Sequence, residues 1–337
     1  MNPREIVKAA VEFKNPPRAP RQLWVLPWAA THYPQELNQI RERFPDDIVG
    51  APAIYKTPLP KTQGDPYAEG TYVDEWGCIF KSVQAGVIGE VKEPVLKELA
   101  DMDQMRLPVE FLSFDIDAVN AFCRSTDRFV TSGCCARPFE RMQFLRSTVN
   151  LYYDMLEAPA KFEALLDKVN GFFMEELEMW AKTEVDALNF MDDWGAQRAL
   201  LISPAMWRKY FKPVYKAYAD LAHRHGKYLF FHSDGYIQDI LPDLVEIGVD
   251  AVNCQLFVMD IEEIGRSLRG KITFWGEIDR QHLLPTGSKA DIAAAVRRVH
   301  ENLYDRGGAI AQCEFGAGAR PENVYQVYQT WEEIFKP

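Results

Sequence analysis

Five short apolar runs in the second half of the chain each end in polar or small residues. Each run has the length of a buried strand, and helix-like sequence separates one run from the next. A parallel barrel gathers the carboxyl ends of its strands at one mouth, where barrel enzymes carry their active sites. The pattern therefore predicts a barrel whose working face is built from these polar clusters. The runs occupy residues 188–195, 229–235, 251–255, 273–279 and 309–316.

Strand-like and helix-like segments alternate along most of the chain. A strand followed by a helix and then another strand requires parallel strands joined by crossover connections. Eight such units favour a (β/α)8 TIM barrel over an open sheet, and 337 residues suit one large α/β domain spanning 1–337. The predicted strands lie near 22–27, 47–53, 128–134, 186–191, 227–232, 250–254, 271–276 and 308–313, and the clearest predicted helices cover 162–182 and 204–224.

Residues 55–107 interrupt this alternation between the second and third predicted strands. The segment is rich in Pro and Gly and contains only short alternating apolar runs. We interpret it as an insertion that carries an antiparallel β-hairpin and folds over one end of the barrel.

The composition excludes several classes of protein. A formal net charge of -11 argues against a nucleic-acid partner, because phosphate binding requires a basic face. No window approaches the ~18 apolar residues of a membrane span, and the first residues lack a signal-peptide core, so we expect a cytoplasmic protein without a membrane partner. The six cysteines include no CxxC pair. GxGxxG, Walker A and GxSxG motifs are missing, which disfavours dinucleotide enzymes, nucleotide triphosphatases and α/β-hydrolases.

His232, Asp234 and Cys313 are candidate metal ligands. His232 and Asp234 lie two residues apart on an extended segment and therefore share a face. Cys313 ends the eighth predicted strand, which can approach the fifth across the mouth of a closed barrel. Zinc accepts imidazole nitrogen, thiolate sulfur and carboxylate oxygen. The alternatives are a His232 that bonds Asp234 to orient a loop, and a Cys313 that is a small buried apolar residue.

Further candidates surround this position. Asp192, Asp193 and Glu277 are candidate catalytic carboxylates that could bind a cation, orient a substrate or transfer a proton. The alternatives are a role for one of the two aspartates in capping the following helix and an ordinary solvated carboxylate for Glu277. Aromatic residues near the presumed mouth indicate a largely apolar substrate pocket, although packing is their commoner role. These substrate-binding candidates are Trp28, His32, Tyr33, Trp76 and Trp194.

Four segments of the chain, which contain the motifs MDDWG, HSDG, WGEID and RPEN, together resemble the uroporphyrinogen decarboxylase superfamily. They occupy residues 191–216, 230–253, 270–279 and 320–328. The resemblance implies a (β/α)8 barrel and, weakly, a homodimer. It also implies one of two functions, since the superfamily contains porphyrinogen decarboxylases and zinc-dependent methyltransferases that work with corrinoid (cobalamin) proteins.

The resemblance favours the methyltransferase branch. The decarboxylases hold their polyacidic substrate with an Arg-rich segment after the first strand, whereas no arginine stands between Arg21 and Arg41 here. The methyltransferases bind zinc through His-x-Cys on the fifth strand and a Cys near the last. His232 and Cys313 match this set, and Asp234 replaces the middle Cys, which makes the site harder and could admit another divalent metal.

Our hypothesis is a methyltransferase-like enzyme that moves a methyl group between a small substrate or thiol and a corrinoid protein. The metal would be zinc or another divalent ion at the C-terminal mouth of the barrel. The alternatives are a metal-free carboxy-lyase that acts on a smaller acid, and a non-catalytic barrel that binds a corrinoid or porphyrin. The methyl donor, the acceptor, the direction of transfer and the oligomeric state are left open.

Overall fold

A computed structural model describes residues 1–86 and 88–336, and within them eight parallel strands form a nearly closed barrel. The eleven strands are β1 (Arg21–Val25), β2 (Ile48–Gly50), β3 (Gly70–Val73), β4 (Ile79–Ser82), β5 (Glu90–Glu93), β6 (Phe129–Thr131), β7 (Ala187–Met191), β8 (Tyr228–Ser233), β9 (Ala251–Cys254), β10 (Thr273–Trp275) and β11 (Ala309–Phe315). The barrel sheet has the order β1-β11-β10-β9-β8-β7-β6-β2. The eight-stranded TIM barrel predicted from the sequence is thus confirmed.

Two aspartates close the seam between β1 and β2. The backbone N–H of Asp47 donates to the carbonyl of Arg21 at 2.8 Å. The carboxylate of Asp47 accepts from the N–H of Arg21 at 2.7 Å, and that of Asp46 accepts from the N–H of Leu23 at 2.7 Å. The two carboxylates therefore accept hydrogen bonds from backbone N–H groups of β1 that a regular pairing of β1 with β2 would otherwise satisfy.

Helices cover the outside of the barrel. They are α1 (Pro3–Val11), α2 (Pro27–His32), α3 (Pro34–Arg43), α4 (Ile116–Ser125), α5 (Pro138–Arg146), α6 (Thr148–Glu157), α7 (Pro159–Ala181), α8 (Pro204–Tyr210), α9 (Lys212–Arg224), α10 (Leu241–Ile247), α11 (Ile261–Leu268), α12 (Leu283–Thr286), α13 (Lys289–Leu303) and α14 (Pro321–Ile334). The predicted helix 204–224 is divided into α8 and α9, because Pro213 has no N–H for a helix interior and sits instead in the first turn of α9.

The interior of the barrel changes from apolar to polar along the strands. At the amino end, side chains from alternate strand positions pack with Val7 and Val11 of α1, which closes that end. This apolar layer contains Ile48, Phe129, Ala187, Phe230, Ala251, Trp275 and Ile310. Because side chains alternate along a strand, the inward positions nearer the carboxyl end include His232 on β8, Asn253 on β9 and Glu314 on β11. The polar groups of the interior therefore collect at the carboxyl end of the barrel.

The insertion forms a separate antiparallel sheet of three strands, β3, β4 and β5. The predicted hairpin is present as β3 and β4, and β5 adds a third strand on the other side of β4. Arg141 on α5 forms an ion pair with Asp74 at 2.5 Å, which ties the insertion to the barrel helices.

Among the residues that the structure describes, no helix is both long and apolar enough to cross a membrane. The organisation of 1–337 as one domain stays a prediction.

Candidate functional site

Asp193, His232 and Asp234 converge at the carboxyl ends of β7 and β8. One potential ligand atom from each of the three lies within 4.8 Å of the others. Nε2 of His232 is 3.6 Å from Oδ1 of Asp193 and 3.7 Å from Oδ1 of Asp234. One imidazole nitrogen and two carboxylate oxygens form a donor set suited to zinc and to other first-row divalent ions. The arrangement is a candidate metal centre at the mouth of the barrel.

The hydrogen bonds of His232 leave its Nε2 available to a metal. Nδ1 of His232 lies 2.7 Å from Oδ1 of Asn253, whose amide nitrogen donates to the carbonyl of Trp275. The amide oxygen must therefore accept, so the Nδ1 of His232 carries the proton. In the neutral ring, the lone pair is then on Nε2 and faces the two aspartates. Metal-binding histidines are typically oriented by such a second hydrogen bond.

Asp234 has a free buried oxygen on the side that faces His232. Its Oδ1 is buried and has no hydrogen-bond partner within residues 1–86 and 88–336. Its backbone N–H donates to Oδ1 of Asp193 at 2.9 Å, which holds the two carboxylates side by side. An unpaired buried carboxylate oxygen is costly, and a divalent cation would remove that cost. The residues present therefore fit a metal ion.

Two glycines bring the loops of Asp193 and Asp234 together. The N–H of Gly195 donates to the carbonyl of Asp234 at 3.0 Å. A Cβ atom built on Gly235 would lie 2.0 Å from the carbonyl oxygen of Gly195, and Gly235 has φ +77°. Both the close approach and the left-handed conformation require glycine at position 235.

Arg280 lies beside the cluster and contacts three carboxylates. Its guanidinium is 2.5 Å from Asp234, 3.0 Å from Glu314 and 3.5 Å from Glu277. Burial opposes the charge of Arg280, but the three carboxylates outweigh it and raise its pKa. Arg280 was not recognised in the sequence, although it directly follows the polar cluster 273–279.

Glu277 is only 3% exposed, and one of its oxygens, Oε2, has no hydrogen-bond partner within the described ranges. Burial raises the pKa of Glu277 to about 8, even though the Arg280 charge opposes this rise. The pKa of Glu277 therefore lies near neutrality, which suits a group that donates or accepts a proton.

Asp192 and Asp193 have different surroundings although they are neighbours in the chain. Asp192 is 0% exposed and accepts the backbone N–H groups of Phe139 at 3.0 Å and Glu140 at 2.8 Å. It also accepts the Tyr215 hydroxyl at 2.5 Å, and burial raises its pKa. Asp192 thus binds the amino end of α5, a helix that precedes it in the chain, and not the following helix that the capping alternative named; only Asp193 faces the mouth.

Cys313 lies apart from the metal cluster. Since Ile310 points into the barrel, Glu314 also points inward and Cys313 points outward. Its thiol lies 3.7 Å from the hydroxyl of Tyr328 on α14, and burial raises the pKa of Cys313 to about 12. The structure therefore does not bring Cys313 to His232 and Asp234 as the sequence predicted, and Asp193 takes its place.

This placement predicts that a Cys313→Ala variant keeps its metal. The change removes a thiol that packs between β11 and α14, so we expect unchanged metal stoichiometry and a loss of stability of about 1 kcal/mol. Metal analysis and thermal unfolding of the two proteins measure this. Loss of the metal in Cys313→Ala would instead support the ligand set implied by the family resemblance.

The five aromatic candidates differ in their access to a ligand. Trp194 is completely buried, stacks on Phe139 with ring centres 4.0 Å apart and donates to the Tyr215 hydroxyl, so it is a packing residue. Trp28 stacks on His32 at 4.3 Å and Tyr33 stacks on Phe315 at 5.9 Å, at the end of β1. Trp76 lies on the insertion and lines a cavity of about 550 Å³.

Glu176 on α7 also lines this cavity and was not recognised in the sequence. It is 6% exposed, and the described residues offer it neither a hydrogen bond nor an ion pair. Burial raises the pKa of Glu176 from 4.5 to about 7, while the charge of Arg137 opposes the rise. The sequence could have identified Glu176 as a buried carboxyl, because it lies on the apolar stripe of α7 with Phe172, Phe173, Leu177 and Trp180.

The raised pKa of Glu176 predicts a pH-dependent cost to stability. The unfolded chain ionises this carboxyl near pH 4.5, whereas the folded protein keeps it protonated up to about pH 7. The stability that the protonated Glu176 contributes is therefore fully present below pH 4.5. As the pH rises to 7 this contribution is lost, and the free energy of unfolding falls by about 3 kcal/mol. Glu176→Gln should escape this loss and become more stable than the wild type as the pH rises. Denaturant unfolding at several pH values tests this, with the exposed neighbour Glu175→Gln as the matched control.

Comparisons with known proteins agree with this architecture. The sequence pattern of the uroporphyrinogen decarboxylase (URO-D) family matches residues 73–334. A protein named uroporphyrinogen decarboxylase from Geobacter sulfurreducens is 27% identical over 136 residues, which is 38% of this chain and 39% of that protein. The aligned region thus spans about two fifths of that relative. A solved structure described as a methyltransferase from Methanosarcina mazei has a TM-score of 0.69 and 16% identity over 100% of both chains, a likeness of fold.

Proposed function

This chain belongs to the uroporphyrinogen decarboxylase family, and within that family we propose that it is a methyltransferase. It moves a methyl group between a small substrate or thiol and a corrinoid protein. The observation that carries this proposal is the cluster of Asp193, His232 and Asp234 at the mouth of the barrel. The fold shared with a solved methyltransferase is compatible with it.

The charges at the mouth argue against a polyacidic tetrapyrrole as substrate. Three arginines near this face are already paired, Arg280 with Asp234, Glu314 and Glu277, Arg137 with Glu140 at 3.0 Å and Arg141 with Asp74 at 2.5 Å. A substrate with many carboxylates would meet the carboxylates that already pair with these three arginines. The segment after β1 contributes no arginine.

In this mechanism His232, Asp193 and Asp234 would hold zinc or another divalent ion. Such an ion would supply Lewis-acid chemistry, which lowers the pKa of a thiol or polarises a methylated heteroatom. Asn253 keeps the Nε2 lone pair of His232 directed at the carboxylates of Asp193 and Asp234. Glu277 can supply a proton to a leaving heteroatom, and Arg280 holds the carboxylate of Asp234 in place through an ion pair at 2.5 Å. Asp192 positions α5 and is not placed to contact substrate.

Methyl transfer to a thiol tests the proposal directly. Protein purified without chelator is incubated with methylcobalamin, which represents the corrinoid partner, and with small thiols. We expect a divalent metal in the protein and metal-dependent loss of methylcobalamin. A metal-loaded protein that demethylates no methylcobalamin would contradict the proposal. Release of CO2 from a small carboxylic acid by chelator-treated protein would favour the carboxy-lyase alternative. A cytoplasmic location and a homodimer stay predictions.

A further inference from the structure

The cavity beneath the insertion has mainly aromatic walls. Tyr55, Tyr72, Trp76, Phe111, Phe144 and Phe172 line it. Trp76 and Phe172 meet edge to face with ring centres 5.0 Å apart, which fixes the orientation of the Trp76 ring. A volume of about 550 Å³ is sufficient for a small organic molecule.

The charged groups of this cavity leave an excess of negative charge. Arg141 is paired with Asp74 at 2.5 Å, and Arg137 is paired with Glu140 at 3.0 Å. The other two carboxyls that line the cavity, Glu75 and Glu176, form no ion pair with any described residue. Among the described residues of the cavity, an anionic ligand would therefore find no uncommitted cation, whereas a cationic ligand would find two uncommitted carboxyls.

Both unpaired carboxyls lie near the same aromatic wall. After burial, the charges of Glu176 and Glu75 contribute to the raised pKa of Tyr55. A cation placed against Tyr55 would therefore contact an aromatic surface and neighbour a carboxyl group at once. Aromatic faces attract cations through their quadrupole, and a nearby carboxylate supplies the counter-charge.

We infer that this cavity binds a small organic cation, a methylated ammonium ion such as choline, with Glu176 as its counter-ion and Tyr55 as an aromatic wall, since Arg141 already lies over the ring of Trp76 at 4.9 Å. The inference concerns binding and stands apart from methyl transfer. Only the use of the bound ion as a methyl donor rests on the proposed function.

Binding of the cation is coupled to the ionisation of Glu176. The charged and titratable groups that face Glu176 are Arg137 next to α5, Tyr55, Cys134 and Cys135 after β6, and Tyr218 on α9. Arg137 favours the ionised form, and burial favours the protonated form and is the larger effect. A bound cation favours the ionised form, so binding near pH 7 should release a proton and affinity should rise from pH 6 to pH 8.

Isothermal titration with choline and its neutral isostere 3,3-dimethylbutan-1-ol tests the inference. The isostere has the same shape without the charge, so we expect wild type and Glu175→Gln to bind choline more tightly than the isostere. Glu176→Gln should weaken choline binding about tenfold or more and remove its pH dependence. Its affinity for the isostere should not fall.

Two results would overturn the inference. One is a wild-type protein that binds choline no more tightly than the isostere, or that binds neither compound. The other is a Glu176→Gln variant that still folds cooperatively and binds choline as tightly as the wild type. The titration needs neither metal nor corrinoid, and His232→Ala should leave choline binding unchanged. A failed methyl-transfer assay and a failed cation site are therefore distinguishable.

Discussion

Replacing His232 by alanine is expected to abolish stoichiometric binding of a divalent metal, with a loss of affinity of about 100-fold or more. His232 supplies the only nitrogen of the cluster that the structure describes, and its Nε2 faces Asp193 and Asp234. Without the imidazole, the two carboxylates form a weaker site of oxygen ligands alone. Metal analysis after gel filtration, followed by titration of the metal-free protein with zinc, gives both the stoichiometry and the affinity.

His225→Ala is the matched control, because this exposed histidine at the end of α9 is absent from the cluster. Asn253→Leu should give an intermediate result, a loss of about 10-fold to 100-fold, since it removes the group that orients His232 without removing a ligand. Equal zinc binding by wild type, His232→Ala and His225→Ala would eliminate the proposed metal centre.

The barrel could be predicted because its strands carry their own local signal. Barrel strands that are covered by helices on the outer face and packed in the barrel interior on the inner face read as continuous apolar runs, and Ala187–Met191 and Tyr228–Ser233 are examples. The insertion was harder to predict, since Glu90–Glu93 is largely exposed and charged, and only its pairing with Ile79–Ser82 makes it a strand. Such long-range pairing leaves little trace in the local sequence.

The candidate site was predicted in part, and the rest depended on strand register. His232 and Asp234 share a face because they are two residues apart, and the structure keeps them together. Cys313 and Glu314 were both visible at the end of the eighth strand, but a shift of one residue exchanges the inward and outward faces. The polar pair Gln312 and Glu314 marks the inward face in retrospect, which leaves Cys313 outside.

Asp192 and Asp193 pose the same problem, because neighbouring residues point in different directions and either could have faced the mouth. Arg280 and Glu176 were missed for another reason. The role of each depends on groups from distant segments, such as the Asp234 that bonds Arg280 across 46 positions in the chain. No spacing rule connects such residues before the fold is known.

Gly235→Ala is expected to destabilise the protein by about 2–5 kcal/mol and to remove the metal site as well. The new Cβ would lie 2.0 Å from the Gly195 carbonyl oxygen, and the residue would keep an unfavourable φ of +77°. Backbone atoms cannot yield as a flexible side chain can, so the loops after β7 and β8 must separate. Because Asp193 and Asp234 lie on these loops, their shared hydrogen bond at 2.9 Å should be lost. Denaturant unfolding and zinc titration measure the two effects.

Gly226→Ala separates the steric effect from the conformational one. Gly226 precedes β8 and has φ +66°, but no atom lies within 4 Å of the position its Cβ would take. It should cost only about 1–2 kcal/mol, the strain of the left-handed conformation, and it should bind zinc as the wild type does. If Gly235→Ala were no more destabilising than Gly226→Ala and still bound zinc normally, the close contact between the two loops would not be what holds the aspartates together. A larger loss confined to Gly235→Ala would show that the metal ligands depend on two backbone segments that only glycine allows to meet.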